Sequence, residues 1–81
     1  MNGPRVTVKL LATYRRYLPA GTEGADERTL PSGGTVRDLL AQLPLPPGDA
    51  KVILVNGRGA PSDQVLQEGD VVAIFPAIAG G

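Results

Sequence analysis

The sequence predicts an α+β fold, a mixed sheet of four to five strands with one main helix packed across it, and three observations predict it. Residues 5–11 alternate apolar and polar. Residues 71–75 are apolar without a break. Between them, only residues 35–43 repeat apolar side chains at helical spacing. A first and a last strand separated by a long crossover that includes a helix can pair in parallel, which a tight hairpin does not allow. With 81 residues the chain is expected to form a single domain, 1–81, near the lower size at which one core suffices.

In the first strand Val6, Val8 and Leu10 share one face, and Arg5, Thr7 and Lys9 the other. In residues 12–19, Tyr14 and Leu18 can share a face of a single helical turn that Pro19 would end. Residues 20–26 are polar and glycine-rich, as in a wide turn, and Glu27 to Leu30 form a short edge strand before a second turn at Pro31-Ser32-Gly33-Gly34. Thr35 opens the helix: its hydroxyl can accept the N–H of residue 38, and Asp38 sits at N3, which approximates a capping box. Val36, Leu39, Leu40 and Leu43 make the buried stripe, and Pro44 stops the helix.

Lys51-Val52-Ile53-Leu54-Val55 is a continuous apolar run suited to an inner strand. Asn56-Gly57 follows at once and signals a type I′ hairpin, since both central residues of that turn need positive φ. Arg58 to Pro61 can only return briefly, and Pro61 confines that piece to an edge. A turn of helix capped by Ser62 is expected over residues 62–66, and Glu68-Gly69-Asp70 turns the chain into the last strand. A strand hairpin, one helix and parallel first and last strands make the β-grasp arrangement. A ferredoxin-like sheet would need a second full-length helix, for which the sequence has no room.

Composition narrows the chemistry. There is no cysteine, hence no disulfide, no thiolate metal ligand and no cysteine nucleophile. There is no histidine, the commonest general base and metal ligand. Eight basic residues balance eight acidic ones, so no charge excess argues for nucleic acid or a membrane surface. No metal site is expected, and Glu68 and Asp70 read as turn residues rather than a general acid and base. Ser32-Gly33-Gly34-Thr35 opens a helix but lacks the lysine of a phosphate-binding loop. Met1 to Arg5 do not read as a signal peptide and no apolar run reaches membrane-spanning length, so a cytoplasmic protein is expected.

The chain's end is the remaining candidate. Pro76 should end the last strand, and residues 76–81 should form a flexible tail without charge that finishes on Gly80-Gly81. Two residues without Cβ atoms can pass a channel too narrow for a side chain and bring the terminal carboxylate into another protein's active site. An ionised carboxylate is a poor electrophile, so a partner must first activate it, for instance as an acyl-adenylate, before sulfide or an amine can attack. The ordinary alternative is a frayed end.

Thr35-Val36-Arg37-Asp38-Leu39-Leu40, Val55-Asn56-Gly57, Glu68-Gly69-Asp70-Val71-Val72 and Phe75-Pro76-Ala77-Ile78-Ala79-Gly80-Gly81 together resemble the MoaD/ThiS family of ubiquitin-like sulfur carriers. Each motif is local turn or cap chemistry; a Gly-Gly end at this distance from the last strand makes the set specific. The length, the Arg15-Arg16 segment and Phe75-Pro76 bring the chain closer to the MoaD type, the small subunit of molybdopterin synthase, although Ala77 stands where such carriers often have a second proline.

The resemblance implies a carrier that is not catalytic alone and binds no cofactor. An E1-like adenylating enzyme of the MoeB type would use ATP and Mg²⁺ to adenylate Gly81, which becomes a thiocarboxylate. A larger catalytic subunit of the MoaE type would take the sulfur for molybdopterin synthesis. On this reading Gly81 carries the group, Gly80 gives clearance, and Phe75, Pro76 and Ile78 meet the partner, while Phe75 is equally suited to ordinary core packing. Other readings stay open: a carrier for thiamin, cysteine or tungsten-cofactor synthesis, a ubiquitin-like protein modifier, or a binding module with an inert tail.

Overall fold

The computed structural model describes residues 2–18, 25–46, 48 and 50–77. Five strands, β1 (Asn2–Leu10), β2 (Ala25–Pro31), β3 (Lys51–Val55), β4 (Arg58–Gly59) and β5 (Val71–Pro76), form one sheet in the order β2-β1-β5-β3-β4. The first and last strands lie side by side and parallel, with Val8 opposite Val72 and Leu10 opposite Ile74. All other pairs are antiparallel. This is the expected β-grasp topology, and no second full-length helix accompanies it among the described residues.

The core forms where the helix α1 (Val36–Ala41) crosses one face of the sheet. Alternation along the two central strands supplies Val6, Val8, Leu10, Val72 and Ile74, each at most 1% exposed. Leu30, Val55, Leu66 and the helical Val36, Leu39 and Leu43 close over them. Tyr14, on a 3₁₀ helix at Ala12–Tyr17, seals one end at 2% exposure. Gly34, just before the helix, is buried so tightly that an added Cβ would stand 2.8 Å from Leu30 Cβ and 2.9 Å from the Pro31 carbonyl oxygen. This glycine is there for close approach rather than for a special φ.

The capping box forms as expected. Thr35 Oγ1 accepts from Asp38 N at 3.3 Å, and Asp38 Oδ2 accepts from Thr35 N at 2.9 Å. The helix is shorter than the nine residues expected, because its last turn tightens: Gln42 N bonds back to Leu39 O and Leu43 N to Leu40 O, three residues apart. Pro44 disfavours helical backbone at Leu43, so α geometry cannot run on to it, yet the Leu43 side chain still reaches the core. Leu40, expected inside, is half-buried at the helix edge beside Leu43 and Leu45.

Other expectations change as well. Residues 62–66 form a turn and a single bridge between Val65 and Thr35 rather than a helical turn. Their backbone serves the start of α1 instead: Val36 N donates to Gln64 O, Arg37 N to Ser62 O, and Leu66 N to Gly34 O. Carbonyls spent on a neighbouring helix's orphan donors are not available for a helix of their own. β3 is an inner strand only at its end, since β4 pairs with Leu54 and Val55 alone, and residues 51–54 are half-buried. The first two strands are longer than expected, with a register irregularity between Asn2 and Arg5. Of the wide turn expected over residues 20–26, residues 20–24 lie outside the described residues, as does Pro19, while Ala25 and Asp26 belong to β2.

The Asn56-Gly57 hairpin is as expected, with φ of 52° and 84°, as is the turn through Glu68, Gly69 and Asp70. The two acids serve that turn and its surroundings: Glu68 Oε1 accepts Arg5 N at 2.8 Å, and Asp70 Oδ2 accepts Gln67 N at 2.8 Å.

Candidate functional site

The site is built at the end of β5, the strand that carries the chain toward its C-terminus. β5 is held on both sides: Leu11 N donates to Ile74 O at 3.0 Å from the β1 side, and Ala77 N donates to Ala50 O at 3.0 Å beyond the β3 pairing of Lys51 with Pro76. Alternation turns the missing N–H of Pro76 toward β1, past the point where β1 has ended, so the proline costs no sheet bond there. Pro76 is thus the last residue of β5, and Ala77 is still tied down. Ile78, Gly80 and Gly81 lie outside the described residues.

Phe75 pairs with Val52 across β5 and β3. Because Val72 and Ile74 face the helix, Val71, Ala73 and Phe75 face the opposite way, together with Val52 and Leu54. All five are half-buried, and none belongs to the core cluster or to the apolar residues packed on it. This face is the reason β3 is apolar at each position from Val52 to Val55: one set of side chains meets the helix and the other forms an apolar surface on the far side of the sheet. The run Lys51 to Val55, without alternation, was the signal for it, since a strand apolar on both faces is built to be covered on both.

Other residues stand around the same end: Lys9 and Leu11, not singled out from the sequence, and Arg15 and Arg16, named there only for the family resemblance. Lys9, opposite Ala73, projects from the helix-free face and is exposed. Leu11, 39% exposed, leads into the 3₁₀ helix, which packs against β5 and carries the exposed Arg15 and Arg16. Their signal was available only from topology, because parallel pairing of β1 and β5 places whatever follows β1 next to the base of the tail. The hollow lined by Asn56, Arg58, Gln64, Gln67 and Asp70 lies at the opposite end of β5 and is not part of this site. Among the described residues no cluster of acidic side chains could hold a metal ion, and no helix is long and apolar enough to cross a membrane.

The ThiS family model matches residues 8–81, from the middle of β1 to the final glycine. The chain belongs to the ThiS family. Among solved structures, this ThiS-family chain is similar to the "Putative molybdopterin converting factor, subunit 1" of Pyrococcus furiosus, with 31% identity and a TM-score of 0.78, covering 94% of this chain and all of that one. It is similar in fold to SAMP1 of Haloferax volcanii, at 22% identity and a TM-score of 0.70 over 95% of this chain and 99% of that one. The small archaeal modifier protein 1 (SAMP1) of Methanosarcina acetivorans matches at 26% identity and a TM-score of 0.64, over 96% and 97% of the two chains. No curated protein matches the sequence significantly. The ubiquitin-like β-grasp fold expected from the sequence is therefore the fold of this ThiS-family chain.

Proposed function

We propose that the chain is a sulfur carrier whose working group is the α-carboxylate of Gly81. The observation that carries this reading is the anchoring of β5. The strand is bonded on the β1 side as far as Ile74 and on the β3 side as far as Ala77, and the four residues beyond Ala77 reach at most about 14 Å in extended form. A fixed base and a short end of small residues suit delivery of a terminal group into a narrow site on another protein. Membership of the ThiS family and similarity to the Pyrococcus protein support the same reading.

The chemistry belongs to the partners. An E1-like adenylating enzyme, with Mg²⁺ and ATP, lets a Gly81 carboxylate oxygen attack the α-phosphorus and releases pyrophosphate. Hydrosulfide then attacks the acyl carbon, and AMP leaves, giving the thiocarboxylate. A larger catalytic subunit takes the tail and passes the sulfur to a pterin precursor in molybdopterin synthesis, in the cytoplasm. This chain's residues present the group: Gly81 bears it, Gly80 leaves the channel clear, and Phe75, Pro76 and Ile78 seat the base of the tail.

The similarity to the Methanosarcina modifier protein favours a second reading, in which a lysine amine of another protein attacks the same adenylate. Expression of N-terminally and C-terminally tagged chains beside the adenylating enzyme separates these readings from an inert tail. The N-terminal tag should leave activation intact and the C-terminal tag should abolish it. Equal activation of both would refute a role for the free terminus, and covalent adducts of higher mass would favour the modifier.

A further inference from the structure

We propose that Lys9, Arg15 and Arg16 form a basic rim beside the apolar base of the tail, and that this rim docks on a protein whose tail-accepting opening is edged with carboxylates. The chain as a whole has no net charge, yet among the described residues no acid is paired with Lys9, Arg15 or Arg16. Glu68 and Asp70 precede β5 and so sit at the end of the strand opposite Phe75. Of the acids on β2, Asp26 is held by Arg28 at 3.0 Å, and Glu27 stands opposite Thr7, further from the tail than Lys9. Among the described residues, the side chains of Lys9 and Arg15 make no hydrogen bond or ion pair. Arg16 lies over the Tyr17 ring at 5.3 Å and 3.4 Å from its hydroxyl, and among the described residues no acid pairs with it. By contrast, Arg5 at the far end faces Glu68 at 3.9 Å.

Cations with no acidic partner among the described residues, beside an apolar patch, have the make-up of a protein interface, where arginine is enriched and a polar rim surrounds an apolar centre. Here the centre is Leu11, Phe75 and Pro76. Nucleic acid fits less well. The chain's zero net charge provides no long-range attraction to a polyanion, Phe75 is half-buried, and Arg16 already covers the ring of Tyr17. Rim charges act mainly on how fast partners meet, so carboxylates around the opening would steer the tail toward it. The inference rests on the proposed delivery of the tail to a partner, but not on the transfer of sulfur.

The test uses the full-length chain and the E1-like adenylating enzyme encoded in the same genome, with association and dissociation rates measured over a range of salt concentrations. The Arg15→Glu/Arg16→Glu variant should associate about tenfold or more slowly at low salt, dissociate at nearly the native rate, and lose the difference at high salt. Arg58→Glu, at the far hairpin, should associate normally, and all three chains should melt at similar temperatures. An association rate for the double variant within twofold of native, a rate insensitive to salt, absence of binding by the native chain, or tighter binding to single-stranded RNA would each overturn the proposal. Sulfur uptake is read separately by intact mass. Salt-dependent binding without uptake would leave the basic rim standing and remove the carrier reading.

Discussion

Asn56 Nδ2 donates to Asp70 Oδ1 at 3.0 Å, while Asn56 Oδ1 accepts the backbone N–H of Val71 at 2.9 Å. One amide thus ties the β3–β4 hairpin to the first residue of β5, donating through its nitrogen and accepting through its oxygen. Asn56→Asp keeps the shape but sets a carboxylate against Asp70. It should destabilise the domain by about 1 kcal/mol, a modest loss because the pair is exposed, and added salt should recover part of it. A urea midpoint equal to native at low salt would show that this link does not hold the strand.

The two helical leucines should separate clearly. Leu39 is fully buried and Leu40 only half-buried. Leu39→Ala should cost about 2–5 kcal/mol, a large share of a small domain's stability, and Leu40→Ala distinctly less. Denaturant unfolding of both variants decides it; a larger loss for Leu40 would reverse the placement of the helix on the sheet.

The difference between these leucines shows where the sequence was legible. Strict alternation in β1, the Thr35 cap and the Asn56-Gly57 turn are local chemistry, and each appears as read. Residues 62–66 carried an equally plausible cap, Ser62, but their carbonyls are claimed by Val36 and Arg37 of a helix distant in sequence. Leu40 fits the helical stripe as well as Leu39 does, and only the six-residue length of α1 and the position of its edge leave it half-exposed. At the site, Phe75 and Pro76 could be read because they precede the Gly-Gly end. Lys9 and Leu11 could not, and Arg15-Arg16 stood out only through the family resemblance, since all four join it only through parallel pairing of strands some sixty residues apart.

Phe75 lies off the core, on the helix-free face with Val52. Phe75→Ala should therefore lower stability less than Leu39→Ala does, yet weaken binding to the catalytic subunit by about 2 kcal/mol or more, as for a central interface aromatic. Titration at a temperature where the variant is fully folded measures this. Unaltered affinity would assign Phe75 to the sheet alone.

The central claim is that the terminal carboxylate of Gly81, and no side chain, is the group that reacts. The direct measurement is intact mass after incubation with the adenylating enzyme, ATP, Mg²⁺ and sulfide, followed by mapping of the modified peptide. The native chain should gain the mass of one sulfur in place of one oxygen, located on the C-terminal peptide. A chain lacking Gly81 should fold with native stability and gain nothing, because its end falls one residue, up to about 3.5 Å, short of the activating site. A mass gain mapped to any other residue, or sulfur uptake by the chain without Gly81, would contradict the account.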